Sequence, residues 1–551
     1  MEFDAVLISP RREKMLKDGF WLNKTIIGSL RNAVKQNPEK IALVSFRTET
    51  KQVISLSYQN IWERMNKIAL GLKQLGVAKN DVVSCQLPNW WEFTLLYLAC
   101  SRIGAVLNPL MPIFRERELE FMLKHGESKV FVVPSKFKGF DHEQLANTLK
   151  SKISTLEHVI VIDGQGQNNF NALLLNHGLE LDSHAIAELD QFEVSADDIT
   201  QLIFTSGTTG EPKGVMHTAN TLYANIVPYA QRLELDHNDV VLMASPMAHQ
   251  TGFMYGLIMP IELNAQVILQ DIWDVQVAID LIHQYQVSFT MASTPFLNDL
   301  SNSVAEHKDY VSTLKTFLCA GAPIPGPLVQ KAREALGVKV ISAWGMTECG
   351  AITTTLLSDD DERSFNTDGI ALTGVEIKVV DKTGAIKPVN EAGRLMIRSC
   401  SSFGGYLKRP QLNDTDAEDW FDTGDIAYQD DQGYIRICGR KKDVIIRGGE
   451  NIPVAEIESL LYKHPDIAMV ALVAYPDERL GERACAIVKL KDSAQTLELA
   501  HLIEFLKSHH LAMQYLPEKL EVWDEIPMTP SGKIQKFKLR EILAESLKQK
   551  C

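Results

Sequence analysis

The stretch from Leu314 to Glu348 dictates two parallel strands joined by a helix. An apolar run over 314–320 ends in the loop Gly321-Ala322-Pro323, apolar residues recur at helical spacing over 327–336, Gly337 supplies a stop, and a second apolar run covers 338–343. A strand that returns to its own sheet through a helix makes a parallel pair, and parallel strands need cover on both faces. The expectation is an α/β domain with helices layered on its sheets. Alternation over the first 200 residues of apolar helical stretches (90–103) with short apolar strands (129–133) agrees with it. Open parallel sheets bind ligands at the carboxyl ends of their strands, so 319–323 and Trp344-Gly345-Met346-Thr347-Glu348 mark one edge of a site.

From Gly374 to Cys438 the apolar period drops to two, as at Val375, Ile377 and Val379, with turns at 381–384 and 430–433. A β-rich subdomain therefore follows the α/β core. After Gly439, the charged run Arg440-Lys441-Lys442-Asp443 precedes a compact α+β pattern: a helix from Pro453, strands at 468–473 and 484–489, and a helix over 498–507. A boundary there divides the chain into units 1–441 and 442–551. With 551 residues, 45% of them hydrophobic, the chain has enough apolar material for more than one core.

Charge and cysteine usage exclude several functions. A formal net charge of -14, from 56 basic and 70 acidic residues, repels nucleic acid and anionic membranes, so any nucleotide must be held by a local site. The 8 cysteines are scattered without a CxxC pair, which points to neither a zinc site nor a disulfide framework. No uncharged apolar run is long enough to span a membrane, and Met1-Glu2-Phe3-Asp4 lacks the basic-then-apolar layout of a secretion signal. A cytoplasmic protein is expected.

A segment suited to cradling phosphate lies between the apolar run ending at Phe204 and the helical stretch 220–231. There Thr205-Ser206-Gly207-Thr208-Thr209-Gly210-Glu211-Pro212-Lys213 combines glycines that admit an anion close to backbone N–H groups, four hydroxyls and one cation. The Walker spacing is absent.

This segment resembles the signature loop of the adenylate-forming superfamily, which includes acyl-CoA synthetases and the adenylation domains of nonribosomal peptide synthetases. Further motifs follow in the family's order: Ser245 to Phe253, Gly321 to Pro323, Trp344 to Glu348, Trp420 to Asp425, Arg440 to Lys442, Arg447 to Asn451, and Pro527 to Ile534. The resemblance implies that Trp344 stacks on adenine with Gly321, Ala322, Pro323, Gly345 and Met346 lining its pocket. Thr347 would contact phosphate, and Glu348 would hold Mg2+, a hard cation suited to carboxylate oxygen. Asp425 would accept from both ribose hydroxyls, a task for a charged bidentate acceptor, with Arg440 beside it. Lys442 falls on the interdomain hinge, and Gly448 and Gly449 on the coenzyme A channel. His249 would guard carboxylate entry, with Phe253 lining the acyl pocket.

Lys533 lies on a loop defined by Pro527, Pro530 and Gly532. A carboxylate that attacks an α-phosphate brings two anions together and expels a third, so a mobile cation bridging them lowers the barrier. Two departures stand out: relatives more often carry Tyr at 344, and many carry Asp at 442. Stretches 361–381, 439–451 and 477–483 resemble bacterial short- and medium-chain fatty acyl-CoA synthetases. The implied reaction uses ATP, Mg2+ and coenzyme A to convert a carboxylic acid to its thioester through an acyl-adenylate. An aryl- or cycloalkyl-carboxylate substrate and a carrier-protein acceptor are the other branches, and oligomerisation stays open.

Overall fold

The structure is a computed structural model that describes residues 1–192, 194–205, 212–304, 308–321, 324–440, 445–447, 450–452, 454–477, 481–492, 494, 496–509, 511, 513–529 and 533–549. Among these, the strands of the N-terminal part form two large sheets, a four-stranded sheet and a two-stranded ribbon of Lys136–Phe137 and Phe140–Asp141.

The first sheet has nine strands. Ile41–Arg47, Gln266–Gln270, Val240–Met243, Phe289–Ala292, Thr316–Ala320 and Lys339–Met346 run parallel side by side. Antiparallel strands close both edges: Gln52–Ser57 on one, and Gly350–Thr354 then Ile370–Ala371 on the other. The second sheet has six strands, in the order Lys213–Thr218, Ile199–Thr205, Val106–Pro109, Val82–Cys85, Ser128–Pro134 and His158–Ile162. Buried helices such as Trp91–Ile103 and Ala219–Arg232 contribute to the apolar cluster that these sheets share.

The 314–343 crossover forms as its pattern dictates: strand Thr316–Ala320, helix Gly326–Leu336, and a parallel return over Lys339–Met346. Gly337 caps the helix in the left-handed region at φ 70°, where a Cβ would be strained. The period-two region forms a four-stranded antiparallel sheet of Val375–Val380, Gly393–Ser399, Phe421–Gln429 and Ile435–Arg440.

Beyond residue 444 the described residues build a five-stranded sheet from Ile445–Arg447, Glu450–Ile452, Ile467–Asp477, Gly481–Leu490 and Lys519–Val522, with helices Val454–Leu461, Leu499–Ser508 and Lys536–Gln549. Two apolar clusters in this unit, one around Ile457, Leu472 and Leu502 and one around Val473, Ile487 and Leu539, draw every member from residues 445–543. Among the described residues, no helix is long and apolar enough to cross a membrane.

Candidate active site

The helical stretch expected over 220–231 is present as helix Ala219–Arg232, and a strand that the sequence pattern does not separate from it precedes it: Lys213–Thr218 runs antiparallel to Ile199–Thr205, with Thr205 paired to Lys213. The ends of this strand pair are joined by a Thr205 hydroxyl that donates to the Lys213 carbonyl at 3.4 Å. The short polar-apolar alternation after Lys213 is masked by the helical stretch that follows. Ser206, Gly207, Thr208, Thr209 and Gly210 lie outside the described residues.

One expectation about local structure needs correction: strand 339–346 runs three residues past Ala343. Trp344, Gly345 and Met346 are therefore strand residues, zipped to Gly350–Thr354 with a bulge between Trp344 and Gly345. A Cβ at Gly345 would stand 2.3 Å from the Gly350 carbonyl oxygen, so only glycine allows this approach. The turn between the strands presents Thr347 and Glu348.

That turn is tethered from three directions. His217 Nε2 lies 2.8 Å from the Thr347 carbonyl oxygen, and its Nδ1 lies 3.0 Å from the Thr221 hydroxyl. A carbonyl only accepts, so Nε2 carries the proton. The Phe403 N–H donates to the Glu348 carbonyl at 2.8 Å, and the Tyr406 hydroxyl donates to Glu348 Oε1 at 2.6 Å. Glu348 and Tyr406 are both buried. The Lys213 ammonium sits 3.9 Å from the centre of the Tyr406 ring, so one tyrosine links the cation that opens strand Lys213–Thr218 to the candidate metal ligand. Segment 402–407 is itself held by buried Arg11, which donates to the carbonyls of Ser402 and Phe403 at 3.2 and 2.7 Å.

Tyr406, His217 and Arg11 went unrecognised in the sequence. Gly404-Gly405 before Tyr406 was the one local signal, and it reads as a turn.

Asp425 is buried, and its Oδ2 accepts from the Trp344 indole N–H at 3.1 Å. The indole therefore contacts the candidate ribose acceptor directly. Arg440 pairs with Asp425 in strand register, which brings two predicted nucleotide residues together across a gap of fifteen positions.

Gly321 adopts φ +94°, and a Cβ there would lie 3.0 Å from Lys533 Cε and 3.9 Å from Nζ. The lysine of the C-terminal unit thus reaches the carboxyl edge of the nine-stranded sheet. Its loop is closed where the Lys533 N–H donates to the Thr529 hydroxyl at 3.0 Å and the Thr529 N–H donates to the Lys533 carbonyl at 2.7 Å.

His249 caps the short helix Gln250–Phe253, its Nδ1 accepting from the Thr251 N–H at 3.3 Å. Phe253 is fully buried, edge-on to Phe93 and Tyr97 with ring centres 6.2 and 4.7 Å away. Ala322, Pro323, Lys442, Gly448 and Gly449 lie outside the described residues.

Among the described residues no cluster of three or more His, Cys, Asp or Glu could cage a metal ion. One buried carboxylate is what magnesium requires when it keeps several waters and takes the rest of its shell from substrate phosphates, so Glu348 fits that ion.

Burial pushes both His217 and His249 from 6.5 down to about 4, and Lys533 adds to the effect at His249. The unfolded imidazole then binds a proton more readily than the folded one. Stability should be fully present above 6.5 and fall as pH drops toward 4, His217 alone contributing about 1.4 kcal/mol per pH unit in that window. Melting temperature measured across the window tests this, and His217→Gln should flatten the slope.

Residues 30–407 match the AMP-binding enzyme family, and residues 456–533 match the AMP-binding enzyme C-terminal domain. The chain is 35% identical over 545 residues to a medium-chain fatty-acid–CoA ligase of Escherichia coli K12, covering 98% of this chain and 94% of that one. It is 29% identical to a 2,3-dihydroxybenzoate-AMP ligase of Bacillus subtilis 168, covering 97% and 96%. The crystal structure of ATP-bound MatB from Rhodopseudomonas palustris superposes with a TM-score of 0.82 at 26% identity, covering 95% of this chain and 100% of that one.

Proposed function

The chain belongs to the AMP-binding enzyme family, and on that premise we propose how its residues carry out AMP-forming ligation of a carboxylic acid to coenzyme A. The acid is a short- or medium-chain fatty acid. One observation carries the reading: Lys533, from the C-terminal unit, lies against Gly321 at the strand edge beside Trp344.

In the first step a carboxylate oxygen bonds to the α-phosphorus of ATP while the bond to the bridging oxygen breaks and pyrophosphate leaves. The segment from Thr205 to Lys213 binds the phosphates, Trp344 with Gly321, Ala322 and Pro323 encloses adenine, and Asp425 with Arg440 holds the ribose. Glu348 would hold magnesium, which would neutralise phosphate charge. Lys533 offsets the meeting of two anions, and His249 and Phe253 border the acid.

In the second step the thiol sulfur bonds to the adenylate carbonyl carbon, its proton passes to solvent, and AMP leaves. The thiol needs the space that Lys533 fills, so the unit 442–551 must move relative to 1–441, with Lys442 as hinge and Gly448 and Gly449 lining the thiol's path.

A panel of acids from acetate through decanoate to benzoate tests the proposal. Equal amounts of AMP, pyrophosphate and thioester are expected, with the highest kcat/KM between hexanoate and decanoate. Preference for benzoate would overturn the fatty-acid assignment, and ADP as product would overturn the reaction.

A further inference from the structure

Segment Ser245–His249 leaves strand Val240–Met243 at the carboxyl edge of the nine-stranded sheet, and a side chain from the opposite sheet holds it there. Asn89 is buried at 3% exposure in the loop between strand Val82–Cys85 of the six-stranded sheet and helix Trp91–Ile103. Its Nδ2 lies 2.9 Å from the Ser245 carbonyl oxygen, 3.2 Å from that of Gln270 and 3.3 Å from that of Met243. Its Oδ1 accepts the Met247 N–H at 2.8 Å. Three groups that only accept and one that only donates leave a single orientation for this amide.

Met243 and Gln270 end two neighbouring strands, so one side chain gathers both strand ends and the segment that follows. The Ser245 hydroxyl extends the stitch to a third strand by donating to the Met291 carbonyl at 3.1 Å.

The far side of the segment is equally constrained. A Cβ at Gly252 would stand 2.4 Å from the Pro246 carbonyl oxygen, and one at Gly256 would stand 2.4 Å from Met243 Cγ. The helical run 250–258 therefore lies against the segment with no room for a side chain between them. Clamped on both sides, residues 245–249 have one path, and that path sets where His249 stands.

We propose that Asn89 is a positioning residue for the acid substrate, acting through segment 245–249 and not through the nucleotide. The inference rests on the reading that His249 borders the acid. Trp344, Asp425 and Lys213 belong to other strands and Glu348 to the turn after Met346. Asn89→Asp keeps an acceptor for Met247 but sets an anion against three carbonyl oxygens. The segment shifts, and its displacement is felt in the positioning of the acid before it is felt in the nucleotide contacts.

The experiment measures KM for octanoate and for ATP by pyrophosphate release in the wild type, Asn89→Asp, Asn89→Ala and His249→Ala. Melting temperature with and without ATP is recorded for each. Both Asn89 variants should raise the octanoate KM by roughly tenfold to 10²-fold, with the ATP KM and the ATP-induced rise in melting temperature unchanged.

Equal rises in both KM values, or a lowered melting temperature with both KM values unchanged, would overturn the proposal. If His249→Ala raises the octanoate KM and Asn89→Asp does not, the role of Asn89 fails while that of His249 stands. If His249→Ala leaves it unchanged, the reading of His249 fails, and with it the route proposed for Asn89.

Discussion

Replacing Lys533 by Ala should reduce acyl-adenylate formation by on the order of 10² to 10³ while leaving thioester formation from supplied acyl-adenylate almost unchanged. The asymmetry follows from geometry. Lys533 reaches Gly321 only because the loop closed by Thr529 carries it across from the C-terminal unit, and its charge matters while two anions approach one another. Once the adenylate has formed, that repulsion is gone. A cation in this position stabilises developing charge more than bound substrate, so kcat should fall further than the ATP KM rises. Single-turnover pyrophosphate release and a separate assay with synthetic adenylate make the measurement, and equal losses in both half-reactions would refute the role.

Glu348→Gln should lower adenylation by roughly 10²-fold and weaken ATP binding in the presence of magnesium. The substitution preserves shape, and the amide oxygen can still accept from the Tyr406 hydroxyl, so the turn should keep its place. What is lost is the negative charge that a hard divalent ion needs. Titration calorimetry with ATP, with and without magnesium, separates the two consequences: the variant should lose the magnesium-dependent part of the affinity and keep the rest. Tyr406→Phe gives the comparison. It removes one hydrogen bond to a charged group, worth about 1.5 to 3 kcal/mol, and leaves the carboxylate in place, so its defect should be the smaller. If Tyr406→Phe were as damaging as Glu348→Gln, the carboxylate would be acting through the tyrosine and not through a metal.

The sequence by itself determined what depends on neighbours along the chain. Gly337 stops its helix because only glycine occupies φ 70° without strain, and the apolar spacing of 314–343 and of 374–438 sets a parallel crossover in one place and an antiparallel sheet in the other. The tertiary structure alone decided the rest. Tyr406 meets Glu348 across 58 positions, His217 meets Thr347 across 130, and Asn89 meets Ser245 across 156. Each of these side chains is unremarkable in its own stretch of sequence, a tyrosine after two glycines or an asparagine before a helix. Hydrogen bonds of 2.6 to 2.9 Å need both partners delivered to within a few tenths of an ångström, and strand register and sheet packing perform that delivery, not local preference.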